Sequence, residues 1–187
     1  MTRLSLLAAT ALMAVSAPVF ADNHGAAVVN NNVTLAEVEA AQKAWGAALV
    51  QIATDFKAGG RDKATATASA VLDAAYGYAH GAVLFKPTLT SGDQTFRITR
   101  EGALAYFVGG NPKFPKDGGF ALNGWSAYEI KNAAVYINGD MAITTGNVIL
   151  TNDKGQKTTV DKTWGFRKGD DGKLRIVLHH SSLPYGG

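Results

Sequence analysis

A chain of 187 residues without cysteine forms no disulfide and has no thiolate to hold a metal or attack a carbonyl. Its formal net charge of +3, with no basic run interleaved with aromatics, argues against a nucleic-acid partner. The length suits one domain with a sizeable core.

Residues 1–21 read as a secretory signal: Arg3 is the positive end, residues 4–15 are an apolar run too short for a stable membrane anchor, and Ala21 offers a small residue for cleavage. The mature chain is expected to start at Asp22, to be periplasmic or secreted, and to keep no membrane attachment. Residues 22–33, with three consecutive asparagines, read as a flexible leader, and residues 34–187 as a single domain.

Thr34-Leu35-Ala36-Glu37 has the spacing of a capping box. Behind it Val38, Ala41, Trp45, Leu49, Ile52 and Phe56 recur at three- and four-residue steps, the apolar face of a helix that Gly59-Gly60 stops. Asp62 is placed to cap a second helix, with Ala68, Leu72, Ala75, Tyr76 and Ala79 on one side. His80 follows as a C-terminal cap. The period then changes. Val83-Leu84-Phe85-Lys86-Pro87-Thr88 reads as a short strand, residues 94–99 as another extended piece, and residues 99–108 as a short helix ending at Gly109-Gly110. From Leu122 onward, runs of strand character are divided by Asn138-Gly139-Asp140, Asn152-Asp153-Lys154-Gly155 and Gly169-Asp170-Asp171-Gly172, all sound turn chemistry. The expectation is an α+β fold: N-terminal helices in the concave face of a curved antiparallel sheet, with a ligand pocket between them.

The last strand carries His179-His180-Ser181-Ser182-Leu183-Pro184. Alternation puts His179 and Ser181 on one face, His180 and Ser182 on the other. Leu174, Ile176 and Leu178 share the second face. Adjacent histidines on opposite faces make a poor zinc site, and no helical His–Glu pair stands elsewhere. Thr88 at a strand end and Tyr106 in the short helix are candidates for a polar pocket lining. Among carboxylates, only Glu129 and Asp161 lie in strands where they could reach a cavity.

These features together resemble the iota-class carbonic anhydrases, built on the cone shared with nuclear transport factor 2 and the calmodulin-dependent kinase II association domain. The resemblance covers residues 34–185 and rests on Phe85-Lys86-Pro87-Thr88 with the terminal motif. It implies reversible hydration of carbon dioxide to bicarbonate, these two being the small-molecule partners. It implies a site of Thr88, Tyr106, His179 and Ser181, and no cofactor, zinc or manganese held by one histidine and waters being the alternative. The hydroxyls would hold water and the nascent bicarbonate, His179 would take the proton near its reference pKa of about 6.5, and Phe85 and Phe107 would hold the gas. The remaining apolar strand face is expected to be covered in a homodimer. Two other functions remain for such a cone: a domain that binds a small carboxylate without turning it over, and an isomerase using Glu129 or Asp161 as base.

Overall fold

The computed structural model describes residues 30–186. The proposed signal segment and most of the leader lie outside the described residues. The end of the leader does not: Val33 is buried and its N–H donates to the Gly139 carbonyl.

Helix α1 spans Leu35–Ala75. The capping box closes as its spacing predicts, with the Glu37 N–H on the Thr34 hydroxyl and the Thr34 N–H on the Glu37 carboxylate. Lys168 also reaches Glu37 at 2.7 Å, and these contacts hold that carboxyl down to about 2. Gly59 and Gly60 leave helical geometry, Gly60 at φ 70° and ψ −165°, so α1 is two arms folded at a glycine hinge. Helical backbone resumes directly after Gly60, which puts Asp62 inside the second arm and not at its cap. The second arm also ends earlier than its alanine pattern suggests. Tyr76 turns extended, a 3-10 turn follows at Gly77–Ala79, and His80 caps that turn through the Gly77 carbonyl.

Strands β1 (Leu84–Lys86), β2 (Trp125–Asn138), β3 (Met141–Asn152), β4 (Lys157–Lys168) and β5 (Leu174–Ser182) form one sheet in the order β1-β5-β4-β3-β2. The last four make the antiparallel meander, but β1 pairs parallel with β5, so the sheet is mixed and not wholly antiparallel. Helix α2 (Arg100–Val108) starts at a Thr99 cap. Residues 94–99 do not form a strand. They leave a 3-10 turn at Gly92–Gln94, and Arg97 then ties back through its N–H to the Phe85 carbonyl. The Arg97 side chain is buried against Asp117, which pins this segment.

Helix α1 covers the inner sheet face, and α2 packs against α1 with Tyr106 and Phe107 on Phe85 of β1. Trp45, Leu49, Ile52, Leu72, Tyr76, Phe85, Phe107, Trp164 and Phe166 form the heart of the core. No helix among the described residues is long and apolar enough to cross a membrane.

Candidate active site

Strict alternation along β5 would not bring Ile176 and His179 to the same face, yet both are buried inward. The register explains it. Gly165 pairs with Leu178 and Phe166 with Ile176, so Val177 is an extra, bulged residue. The bulge shifts the phase of the strand. Ile176 faces the core before it; His179 and Ser181 face the core after it, and His180 points to solvent. Ile176 therefore leaves the outer face on which simple parity puts it.

The parallel β1 neighbour sets Phe85 beside His179, and the rings stack with centroids 4.4 Å apart. Trp45 closes the other side edge-on at 5.6 Å. Within these aromatic walls runs a buried polar string. The Trp45 indole N–H donates to Tyr76 Oη at 2.9 Å. Tyr76 Oη meets His179 Nδ1 at 2.9 Å, and His179 Nε2 meets Lys162 Nζ at 2.7 Å. Lys162 Nζ also lies 4.6 Å from the Trp45 ring centroid and 5.4 Å from that of Trp164.

A second polar pair lies one step along β5. Thr88 Oγ1 and Ser181 Oγ are 2.7 Å apart, both buried, while Lys86 Nζ donates to the Ser181 carbonyl. Tyr106 is buried with its hydroxyl near Thr88 and the Leu89 backbone. That hydroxyl makes no hydrogen bond of ordinary geometry within the protein, so proximity to Thr88 is not pairing with it. Thr88, Tyr106 and Ser181 thus come together, and His179 stands on the same strand face as Ser181. A narrow apolar crevice between the arms of α1, lined by Trp45, Leu49, Ile52, Ala68, Leu72 and Phe107, ends on Tyr76.

Burial sets the protonation states. Desolvation drives the His179 imidazole well below 6.5, with Lys162 and then His180 adding to the effect. The expectation of a histidine titrating near its reference value does not hold; this imidazole is neutral at working pH. Desolvation lowers Lys162 to about 7 and raises the Tyr106 phenol to about 12, and it pushes Tyr76 well above 10. Glu129 and Asp161 are exposed, the first paired with Lys131 and the second with Asn147, so neither is a base inside the cone. No cluster of three or more metal-ligating side chains occurs among the described residues.

Trp45, Tyr76 and Lys162 were not among the site residues read from the sequence. For Lys162 a signal existed: Val160, Lys162, Trp164 and Phe166 share one parity, a lysine among core positions. Its charge state has a measurable consequence. The unfolded lysine holds its proton up to about pH 10.4 and the folded one only to about 7, so between these values the unfolded state binds more protons. Stability is therefore expected to rise with pH across that window, by on the order of a few kcal/mol. Urea melts from pH 7 to 10 should show the slope in the natural chain and a flatter one in Lys162→Met. Equal slopes would mean that Lys162 is not neutral in the fold.

A family model for metal-independent carbonic anhydrases matches residues 36–183. The chain is 60% identical over 158 residues to a metal-independent carbonic anhydrase of Nostoc sp. (strain PCC 7120), covering 84% of this chain and 77% of that protein. A crystal structure of the iota-carbonic anhydrase from a cyanobacterium, complexed with bicarbonate, superposes with a TM-score of 0.85 at 58% identity, covering 87% of this chain and 99% of that one. A calcium/calmodulin-dependent protein kinase II association-domain structure from Xanthomonas campestris, 24% identical over 86% of this chain and 95% of that one, has a TM-score of 0.54 and shares the fold.

Proposed function

The chain belongs to the metal-independent carbonic anhydrase family, and from that premise we propose that it hydrates carbon dioxide at the inner end of β5 through Thr88, Tyr106, His179 and Ser181. As a carbonic anhydrase it interconverts carbon dioxide and bicarbonate, and the family needs no metal. That membership sets aside a domain that merely holds a carboxylate.

The observation that carries the site assignment is the buried 2.7 Å contact of Thr88 with Ser181, one strand step from His179. Two hydroxyls so placed can fix a water and accept or donate as charge moves. Carbon dioxide is linear and apolar, and Phe107, at the wall of the apolar crevice, offers it an apolar seat beside Phe85, whose ring stacks on His179. The water oxygen bonds to carbon, one C=O electron pair moves onto oxygen, and the water proton passes to His179 Nε2, whose contact with Lys162 opens to receive it. The unpartnered Tyr106 hydroxyl is a donor for the oxygen that becomes negative. A desolvated imidazole is a weak base, so proton transfer must accompany attack and not precede it. The same weakness lets the imidazolium release its proton readily, which suits turnover in both directions.

Stopped-flow hydration by the chain from Asp22, before and after dialysis against chelator, tests the metal-free route. Equal rates are expected; loss of rate with recovery on added zinc or manganese would overturn it.

We further propose export and dimerisation. Residues 1–21 have the character of a removable signal, so Edman sequencing of the protein from the periplasm or medium should begin at Asp22. Tyr136 pairs across strands with Ile143 on the outer sheet face, and they are 65% and 46% exposed, with Met141 nearby. Such a patch suits a homodimer. Sedimentation as a monomer at micromolar concentration would refute it.

A further inference from the structure

We propose that Lys162 is a site of reversible carbamylation, its ε-amine adding carbon dioxide while His179 takes the proton. The proposal rests on carbon dioxide reaching the His179 end of the pocket.

Lys162 is the one lysine among the described residues that is fully enclosed by the core, at 4% exposure. It makes no ion pair with any described carboxylate, and its hydrogen-bond partner is the neutral His179. The groups around it are the Trp45 and Trp164 rings, with Ser181 opposite it on β5; the titratable groups in line with it are His179 and, through His179, Tyr76. A buried ammonium without a counter-ion is costly, so this environment favours the free amine. Only the free amine attacks carbon dioxide. At about pH 7 an exposed lysine is unprotonated roughly one time in 2,500, whereas a lysine lowered to about 7 is unprotonated half the time.

The step balances without any further reactant. The Nζ lone pair forms the N–C bond, and one C=O π pair moves to oxygen. The nitrogen then loses a proton to His179 Nε2, 2.7 Å away in the tautomer whose Nδ1–H points to Tyr76. The product is a carbamate beside an imidazolium, so two neutral groups become an ion pair in contact. Lys162 Nζ lies over the face of the Trp164 ring, 5.4 Å from its centroid, and the buried Trp164 Nε1–H has no acceptor within the protein. An amine buried without a counter-ion, next to a proton acceptor, in an enzyme supplied with carbon dioxide, is the combination carbamate formation requires.

Carbon-13 NMR of the mature chain in labelled bicarbonate tests this. A carbamate carbonyl resonance, distinct from those of bicarbonate and dissolved gas, is expected near pH 7, weakening as pH falls below 7, and absent in Lys162→Met. Trapping with triethyloxonium salt and peptide mass spectrometry should then find the labelled ethyl carbamate on Lys162 at least ~10-fold above any exposed lysine, in keeping with its larger share of free amine. Superimposable spectra for the two proteins, with no excess of trapped label on Lys162, would overturn the proposal. Hydration measured on the same sample separates the outcomes: an active enzyme without the adduct refutes carbamylation alone, and an inactive one without it removes the site assignment as well.

Discussion

Replacing Ser181 by alanine is expected to lower kcat/KM for carbon dioxide hydration by about a hundredfold, the effect of removing one preorganised donor from a water-excluded site. Ser181 is buried, and its hydroxyl bonds to that of Thr88, so the alanine variant removes one oxygen and leaves the Thr88 hydroxyl without its partner. The same loss is expected from Thr88→Ala. The pair acts as a unit, and the double variant should therefore be little worse than either single one. Leaving one buried hydroxyl unpaired costs about 1–3 kcal/mol, less than the roughly 5–15 kcal/mol of a typical domain, so the variants stay folded and the rate reports chemistry. Stopped-flow hydration with a pH indicator reads the result. Rates for both single variants within about twofold of the natural enzyme would remove these hydroxyls from the mechanism, because the loss expected for one donor is far larger.

Tyr76→Phe is expected to be the most damaging single-atom change to the fold. It leaves the ring in place and removes the oxygen that accepts from Trp45 and meets His179. Two buried polar groups, the indole N–H and the imidazole Nδ1, then lose their partner, each at a cost of about 1–3 kcal/mol. Against the roughly 5–15 kcal/mol of a typical domain, such a loss is large. Urea denaturation should show it as a lower midpoint with an unchanged slope. His179 would also lose the contact that fixes its ring plane, and hydration should fall with it. A variant as stable as the natural chain would mean that the string is not closed through Tyr76.

Much of the fold is legible before any coordinates. Thr34 and Glu37 mark the start of α1, Gly59-Gly60 its hinge, and Gly139, Gly155 and Gly172 the turns of the meander, since each of these turn glycines takes positive φ. What is not legible depends on partners distant in sequence. The parallel pairing of β1 with β5 joins residues nearly a hundred positions apart and puts Phe85 against His179. Tyr76 reads as a helical core residue because its period is helical, whereas its backbone leaves the helix at that point. The neutrality of His179 follows from total burial and from a lysine on another strand, and no local pattern in β5 carries that information. Lys162 is the partial exception, visible as a misfit in its strand but without a stated purpose until its neighbour is known.

The bulge at Val177 bears on how errors in pairing are absorbed. Were β5 to slide into plain alternation from Ile176, the side chains turned inward would be Leu178, His180 and Ser182, which again include one imidazole and one hydroxyl. The doubled letters His-His-Ser-Ser thus work as a frame-tolerant code: either frame offers the interior the same two functional groups. Excising Val177 would have the opposite character to most deletions within a strand. It would remove the kink and keep both Ile176 and His179 facing inward, so Val177 is the residue that makes a bulge necessary for this site.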